Sequence, residues 1–176
     1  MLTVKNHDHT SPSHLKLDLS CEPPLDSTTP KNYMYAVEHY PKCGWSAYRA
    51  GLSTNPKLIV DSYTIITYEE SQVYIEQLVK ELQNTGLKKG DRCILYAKNS
   101  PLWLYTDYAI SFAGGIVAPV FDTLSLDNIE YIINLINAKF IFVSADYLPN
   151  VLGMAHKLPS VTQIFCFDKM DKEQTK

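Results

Sequence analysis

The fold is decided by residues 86–123, which read GLKKGDRCILYAKNSPLWLYTDYAISFAGGIVAPVFDT. The stretch opens with a turn in which Gly90 supplies a positive φ angle and Asp91 supplies a local hydrogen bond. An apolar run follows at Cys93–Ala97, and its length and polar boundaries are typical of a buried strand. The first half of the stretch is therefore predicted to be a turn followed by a strand.

A helix and a second strand complete the stretch. Ser100 is placed to cap the helix, and Pro101 suits its first position because the N–H that proline lacks is not needed there. Apolar residues then recur at helical spacing until Gly114–Gly115 ends the pattern. The apolar run Ile116–Phe121 is predicted to be a strand, so the unit is strand, helix, strand.

The same alternation continues on both sides of this unit. Before it, Thr67 and Glu70 form a predicted capping box that opens a long helix, and Gly86 is placed to end that helix. After it we expect a helix capped by Ser125, a helix capped by Asp146, and two strands, Phe140–Val143 and Ile164–Phe167. This order predicts a mostly parallel, doubly wound α/β sheet with flanking helices.

The chain ahead of this alternation is predicted to be an irregular N-terminal arm. Residues 1–44 are rich in Pro, Ser, Thr and His, and the weak alternation of apolar residues over Tyr33–Tyr40 predicts an edge strand. Residues 45–168 are assigned to one domain, and residues 169–176 to a polar tail.

The start of that domain carries weaker signals. A short helix is predicted at Trp45–Leu52, where Gly51 ends the pattern. A hairpin is predicted to join Leu58–Val60 to Tyr63–Thr67, because Asp-Ser is a suitable short turn between them.

Composition favours a single globular domain. The 176 residues are 45% hydrophobic, and 16 Lys and Arg against 19 Asp and Glu give a formal net charge of −3. This balance offers no electrostatic case for a nucleic acid or an anionic membrane as partner. No apolar run approaches the roughly 18 residues of a spanning helix, and the N-terminus lacks the apolar core of a signal peptide. The sequence therefore predicts a cytoplasmic chain without a transmembrane segment.

Neither the cysteines nor the histidines predict a site. The chain has four cysteines without C-x-x-C spacing, Cys21, Cys43, Cys93 and Cys166. We expect free thiols and no disulfide framework. Three histidines and an acid lie near the N-terminus, His7, His9, His14 and Asp8. Scattered histidines on a chain terminus are commoner than a metal site, so no metal ligand is assigned.

Candidate ligand contacts lie beyond the carboxyl ends of the predicted strands, where open α/β sheets bind their ligands. The loops there offer six polar side chains, Lys98, Asn99, Asp122, Thr123, Ser125 and Asp146. Helix caps and turns account for these residue types without any ligand. We therefore interpret these six residues as caps and turn residues and not as ligand contacts. No catalytic, cofactor-binding or metal residue is assigned.

Three further features have structural interpretations. Phosphate-binding glycines follow a strand and open a helix, whereas Gly114–Gly115 follows a helix and opens a strand, so a phosphate loop is excluded. The basic turn formed by Lys88–Lys89 with Arg92 is interpreted as a solvated turn and not as a nucleotide clamp. Tyr68 is interpreted as a core residue and not as a ligand contact.

The central stretch also resembles a known family. GLKKGDRCILYAKNSPLW, followed after one helix by VAPVFDTL, is similar to the N-terminal part of the adenylate-forming (AMP-binding) enzymes, and within them to the long-chain fatty acyl-CoA synthetases. Those enzymes read roughly G-L-x-x-G-D-R-V, then N-x-x-x-W, then V-P-L-Y-D-T-L-G. The matching positions are Gly86, Leu87, Gly90, Asp91, Arg92, Asn99, Trp103, Pro119, Asp122, Thr123 and Leu124. The departures are Cys93, Leu102, Phe121 and Ser125.

The resemblance implies a ligase that activates a fatty acid with ATP to an acyl-adenylate and then transfers the acyl group to coenzyme A. In the family this needs a Thr/Ser/Gly-rich phosphate loop, a Tyr-Gly-x-Thr-Glu segment that holds adenine and magnesium, and a lysine of a C-terminal domain. Neither a T-S-G-T-T-G-like run nor Y-G-x-T-E occurs in this sequence. We therefore expect the N-terminal portion of an AMP-binding domain, inactive by itself, with ATP, magnesium, coenzyme A and fatty acid as partners of the full-length enzyme only.

Two alternatives remain open. The chain could be a non-catalytic interaction module that self-associates or pairs with a full-length synthetase through an open sheet edge. It could also be a small unrelated nucleotide binder of the Rossmann type, although the missing glycine fingerprint counts against this. For the synthetase, we expect a cytoplasmic location with peripheral attachment to the endoplasmic reticulum or other membranes.

Overall fold

The computed structural model describes residues 27–48 and 63–168. Five helices and six strands follow one another in the order α1 (Thr29–His39), β1 (Gly44–Tyr48), β2 (Thr64–Thr67), α2 (Tyr68–Asn84), β3 (Arg92–Tyr96), α3 (Pro101–Phe112), β4 (Ile116–Pro119), α4 (Leu126–Leu135), β5 (Phe140–Val143), α5 (Leu148–Met154) and β6 (Gln163–Cys166). Short 3-10 turns flank α5 at Ala145–Tyr147 and Ala155–Lys157.

The main sheet has four parallel strands in the order β4-β3-β5-β6. Alternate residues of β3 point to opposite faces: Cys93 and Leu95 join one buried cluster with α2 and α3, whereas Ile94 and Tyr96 join another with α4 and α5. All four of these side chains are buried, so helices cover both faces of the strand. The predicted doubly wound α/β sheet is confirmed.

The helix starts predicted at Thr67, Ser100 and Ser125 are also confirmed. Thr67 and Glu70 form the capping box of α2, and the Glu70 carboxylate accepts the Thr67 N–H at 2.8 Å. The Ser100 and Ser125 hydroxyls accept N–H groups in the first turns of α3 and α4. Gly86 adopts a φ of 90° directly after α2, a conformation that glycine reaches at no steric cost.

The predicted edge strand at Tyr33–Tyr40 is wrong, because this segment belongs to α1. Thr28 caps the helix and Pro30 lies in its first turn, which is a common helix start. The helix is held by Tyr33, whose side chain is 3% exposed and packs among the rings of the α2 and α3 cluster. Tertiary packing of one aromatic side chain outweighs the weak two-residue alternation of the sequence.

The short helix predicted at Trp45–Leu52 is likewise wrong for its first part, since residues 44–48 form β1. This strand pairs antiparallel with β2. Trp45 stacks on Tyr105 of α3 with ring centroids 5.4 Å apart, so the small hairpin is anchored to the main domain. The strand predicted at Leu58–Val60 lies outside the described residues, as do the N-terminal histidines and the polar tail.

Candidate functional site

The loops that follow β3, β4 and β5 meet at one edge of the sheet, because the three strands are parallel neighbours. We refer to residues 97–100, 121–125 and 144–147 as the carboxyl edge. This is the position at which open α/β sheets bind ligands. The geometry here decides whether the polar side chains predicted from the sequence are free to bind.

Lys98 is held by the loop after β5 through two contacts. Its backbone N–H donates to the Ser144 hydroxyl at 2.8 Å, and its ammonium forms an ion pair with Asp146. Asp146 was predicted to cap a helix, and that prediction is wrong, because it lies inside the short 3-10 turn and its carboxylate is bound to Lys98. The two strand ends are thus tied together by an ion pair that the sequence spacing of the two residues does not reveal.

Asp122 is bound by a tyrosine of the same edge. The Tyr147 hydroxyl donates to the Asp122 carboxylate at 2.7 Å. The Tyr147 ring stacks on Tyr96, the last residue of β3, with centroids 4.6 Å apart. The hydrogen bond to Asp122 raises the pKa of Tyr147 to about 12, because a nearby carboxylate disfavours the phenolate.

Acidic groups outnumber basic ones around Lys98. The hydrogen bond that Lys98 donates to Asp146 and the negative charge of that carboxylate, with smaller contributions from Asp122 and Asp168, raise the pKa of the Lys98 ammonium. Asp168 also accepts the Ala145 N–H at 2.7 Å. Three carboxylates around one ammonium give a local negative charge, which does not attract phosphate groups.

The remaining predicted residues take structural or solvent-exposed positions. Ser125 caps α4, as expected. Asn99 and Thr123 are exposed, and Phe121, in the same loop as Thr123, has 73% of its surface exposed. Sequence reasoning overlooked Ser144, Tyr147 and Asp168; a polar residue directly after a predicted buried strand is the signal that would have drawn attention to Ser144.

At the opposite edge of the sheet, contacts give Gly115 and the turn at Asp91 structural roles. A Cβ on Gly115 would lie 2.7 Å from the Ile110 side chain, so this glycine permits the close approach of a helix to a strand. The Asp91 carboxylate accepts the Lys88 N–H at 2.8 Å and pairs with Lys139 at 2.7 Å. These contacts shape a turn and join it to β5.

Tyr68 occupies the position predicted for a core residue. It packs against the cluster beneath α2, with its ring 5.9 Å from that of Tyr33, and burial raises its pKa. In residues 27–48 and 63–168 no group of three His, Cys, Asp or Glu side chains is arranged to hold a metal ion. Within those ranges Cys43, Cys93 and Cys166 are free thiols.

Comparison with known proteins identifies the family to which this arrangement belongs. The family model for AMP-binding enzymes matches residues 48–176, which is more than half of the chain. The chain therefore belongs to the AMP-binding enzyme family. No helix in the part of the chain that the structure describes is long and apolar enough to cross a membrane.

Within that family, its curated relatives are long-chain acyl-CoA synthetases. Long chain acyl-CoA synthetase 7, peroxisomal, of Arabidopsis thaliana is 27% identical over 141 residues, which cover 80% of this chain and 20% of the relative. Long chain acyl-CoA synthetase 2 of the same plant is 26% identical over 87% of this chain and 23% of its own length. Fatty acyl-CoA synthetase B of Dictyostelium discoideum is 31% identical over 61% of this chain and 16% of its own. The chain thus spans about a fifth of these relatives.

Solved structures share the fold. The A-PCP didomain of carboxylic acid reductase from Segniliparus rugosus, in complex with AMP, superposes with a TM-score of 0.71 at 18% identity, over 83% of this chain and 22% of that one. A Mycobacterium tuberculosis fatty acyl CoA synthetase gives a TM-score of 0.56 at 20% identity, over 58% and 21%. At these identities the likeness extends to the fold alone.

Proposed function

We propose that this chain is the N-terminal part of a long-chain fatty acid–CoA ligase and that it supplies scaffold to the AMP-binding domain, not the adenylation site. The observation that carries the proposal is the state of the carboxyl edge. Lys98, the basic side chain there, is paired with Asp146, and the Asp122 carboxylate is bound by Tyr147. The polar groups that could meet a ligand are thus largely occupied by one another.

The cofactors of such a ligase do not fit these residues. A nucleoside triphosphate needs backbone N–H groups and cations that converge on its phosphates. The carboxyl edge instead places three acids around Lys98, and neither the phosphate-loop motif nor the Tyr-Gly-x-Thr-Glu segment occurs in the sequence. We therefore assign ATP, magnesium and coenzyme A to the remainder of a full-length synthetase.

ATP–pyrophosphate exchange tests this proposal. The purified 176-residue chain should give no exchange above a buffer control with palmitate or oleate and Mg²⁺ present. A full-length long-chain synthetase assayed in parallel serves as the positive control. Exchange that depends on the fatty acid and increases in proportion to the amount of pure chain would overturn the proposal.

A second candidate function is an interaction module, and the two edges of the sheet favour a specific surface for it. At the β4 edge, the N–H groups of Ile116 and Val120 donate to the Asp91 and Leu95 carbonyls on the β3 side. The odd-numbered residues between them therefore turn outward. One of these is Pro119, which has no N–H to offer, and proline is a recognised way to block a sheet edge.

The β6 edge has no such block. The Phe167 N–H bonds to the Val143 carbonyl, so alternation along β6 turns the main-chain groups of Ile164 and Cys166 outward. Unlike Pro119, both residues carry an N–H as well as a C=O that can pair with a further strand. We propose that this edge pairs with an extended segment, from a second copy of the chain or from a full-length synthetase.

Light scattering coupled to size-exclusion chromatography tests the second candidate. The wild-type chain should self-associate, or bind a hydrophobic dye such as ANS. Cys166→Pro should reduce association, because it removes an outward N–H, whereas Cys166→Ala removes only the thiol and should associate like the wild type. A stable wild-type monomer at high concentration, without dye binding, would rule out self-pairing through this edge.

We further propose a cytoplasmic location with peripheral attachment to membranes such as the endoplasmic reticulum. The relatives include proteins named as peroxisomal, so the peroxisome is the competing location. Fractionation of cells that express the tagged chain distinguishes the two. Co-sedimentation with a peroxisomal marker would contradict the proposal.

A further inference from the structure

A groove between α1 and α2 has no role in the proposed function. Its volume is about 310 Å³, at the lower end of the roughly 300–1,000 Å³ typical of binding sites. The floor is apolar, because Tyr33 and Ile75 are 3% and 2% exposed and Val79 packs against the same cluster. Met34 lies at the wall with 41% of its surface exposed, and methionine adapts to irregular apolar partners. The groove therefore suits apolar side chains.

The rim of the groove carries one charge of each sign. Glu76 and Lys80 are both exposed and lie four residues apart on α2, yet neither forms an ion pair with any described residue. The Glu76 carboxylate accepts a hydrogen bond from the neutral Gln72 amide at 2.6 Å, which leaves its charge uncompensated. Four residues of helix advance about 6 Å along the axis. An occupant complementary to this rim therefore carries both charges at a similar spacing.

A segment with this pattern occurs in the chain itself. Residues 15–19, which lie outside the described residues, read LKLDL. In an extended segment alternate side chains point to opposite faces, so the three leucines share one face while Lys16 and Asp18 share the other. Residues two apart in such a segment are separated by about 6.6 Å. The repeat of the segment thus matches one turn of α2, both for the apolar floor and for the charged rim.

The connection to α1 is long enough for this segment to reach the groove. Residues 20–27 separate it from Thr28, which caps α1. Eight residues span up to about 26–29 Å when extended, whereas Thr28 and Met34 of the groove wall are separated by about 9 Å of helix. A short linker of this kind also gives an effective concentration in the millimolar range. Weak contacts between the segment and the groove are therefore sufficient.

We propose that residues 15–19 bind in the α1–α2 groove of their own chain, extended and parallel to α2. The leucines meet the apolar floor, and the charged face of the segment lies level with the exposed rim. In this orientation Lys16 pairs with Glu76. Asp18 then pairs with Lys80, so that both rim charges gain a partner of opposite sign. The contact involves no substrate of a ligase, so it does not rest on the proposed function, and either can fail without the other.

Limited trypsin digestion of the full chain, followed by mass spectrometry, tests this proposal. Trypsin cleaves after lysine and arginine, and Lys5 and Lys16 are the two such residues ahead of residue 27. A synthetic peptide of residues 1–26 gives the ratio of the two cleavage rates for an unbound segment. In the full chain, cleavage at Lys16 relative to Lys5 should be at least tenfold slower than in the peptide, because a bound segment is cleaved only from its open form.

Two exposed apolar residues give a matched pair of variants that leave the cleavage site unchanged. Met34 lines the groove, whereas Val73, 65% exposed, lies on α2 outside it. Met34→Asp should bring the relative rate at Lys16 to within about twofold of the peptide value, because it places a charge on the apolar wall. Val73→Asp should leave the protection in place. Both side chains are exposed, so thermal melting should show both variants folded like the wild type.

A second matched pair tests the charges on the rim. Glu76→Lys should reduce the protection of Lys16 about two- to fivefold, since exposed ion pairs contribute modestly. Glu81→Lys makes the same change at an exposed position of α2 that does not line the groove, and it should have no effect.

Three outcomes would overturn the proposal. The relative rate at Lys16 could be the same in the full chain and in the peptide, which would mean that the segment is unbound. Each matched pair could behave alike, which would place the contact outside this groove. The protection could also increase with protein concentration, which would identify the segment of a second copy as the occupant.

Discussion

The Tyr33 hydroxyl lies 2.6 Å from the Ser71 hydroxyl in the buried contact between α1 and α2. Ser71 is fully buried, and its hydroxyl also donates to the Tyr68 carbonyl at 2.8 Å. Burial raises the pKa of Tyr33 to about 12, although the hydrogen bond with Ser71 acts in the opposite direction. This pair attaches the N-terminal helix to the rest of the domain through both packing and a satisfied polar contact.

Tyr33→Phe should therefore destabilise the chain by about 1 kcal/mol, because it removes the hydroxyl but leaves Ser71 bonded to the Tyr68 carbonyl. Tyr33→Ala should cost about 3–5 kcal/mol, since it also leaves a cavity among the surrounding rings. Urea unfolding measures both free energies. Tyr35→Phe, on the same helix, is the control and should have no effect. Equal stability of Tyr33→Phe and the wild type would mean that the buried hydroxyl contributes nothing.

The same contact explains why the sequence predicted the central domain better than its beginning. Caps and strand lengths are local signals, and Ser100 and Ser125 gave the starts of α3 and α4 correctly. The assignment of α1 depends on where Tyr33 packs, 38 residues away from Ser71 in the sequence. Weak two-residue alternation was therefore read as a strand, although Thr28 and Pro30 already carried a helix-start signal.

The ion pair between Asp91 and Lys139 predicts a loss of stability in acid. Burial of Asp91 acts to raise its pKa, but the hydrogen bonds from Lys139 and the Lys88 N–H outweigh burial, so the pKa is lowered. A lowered carboxylate pKa contributes stability above the pKa of the unfolded chain, near 4, which is lost as the pH falls through the folded value. Asp91→Asn should cost about 1–2 kcal/mol at pH 7 and progressively less below about pH 4.

Urea unfolding at several pH values between 7 and 2.5 measures this effect. The difference between the wild type and Asp91→Asn should be constant above about pH 5 and shrink in acid. Lys139→Met, which removes the partner, should show the same pH dependence in the same direction. A difference that does not change with pH would show that the carboxylate charge is not what stabilises the turn.

Asp107 predicts the opposite pH dependence. It is a half-buried residue of α3, burial raises its pKa, and its side chain has no hydrogen bond or ion pair to any other described residue. A raised carboxyl pKa contributes stability that is complete below the unfolded pKa and is lost as the pH rises through the folded value. Asp107→Asn should therefore be more stable than the wild type at pH 7, by up to about 1 kcal/mol, and equal to it near pH 3.

Thermal melting at pH 7 and pH 3 checks the sign for Asp107. Asp91→Asn serves as the internal comparison, because it should lower the melting temperature at pH 7 where Asp107→Asn raises it. A lower melting temperature for Asp107→Asn at pH 7 would indicate a favourable contact of the carboxylate.

The candidate site was predictable in position but not in its contacts. The rule for parallel sheets located the carboxyl edge from strand order alone, and Lys98, Asp122 and Asp146 do lie there. Their partners come from loops 25 to 48 residues apart, and no local pattern encodes such distances. Asp146 was read as a helix cap because a cap is a local signal, whereas its ion pair with Lys98 exists only once β3 and β5 have paired.

Substitution of Trp103 distinguishes a packing role for this side chain from a ligand contact. It is partly buried in the first turn of α3 and packs against the cluster beneath α2. An aromatic side chain buries about 150–250 Å² when fully enclosed. Most of that area is buried here, and at about 25 cal/mol per Å² this gives an expected cost of about 3–5 kcal/mol for Trp103→Ala. Leu102→Ala, next to it but 42% exposed, should cost less than about 1 kcal/mol. Urea unfolding of the two variants without any ligand measures both free energies of unfolding and shows whether Trp103 has a packing role. An unchanged free energy of unfolding for Trp103→Ala would remove the packing role and leave a ligand or partner as the reason for a tryptophan at this position.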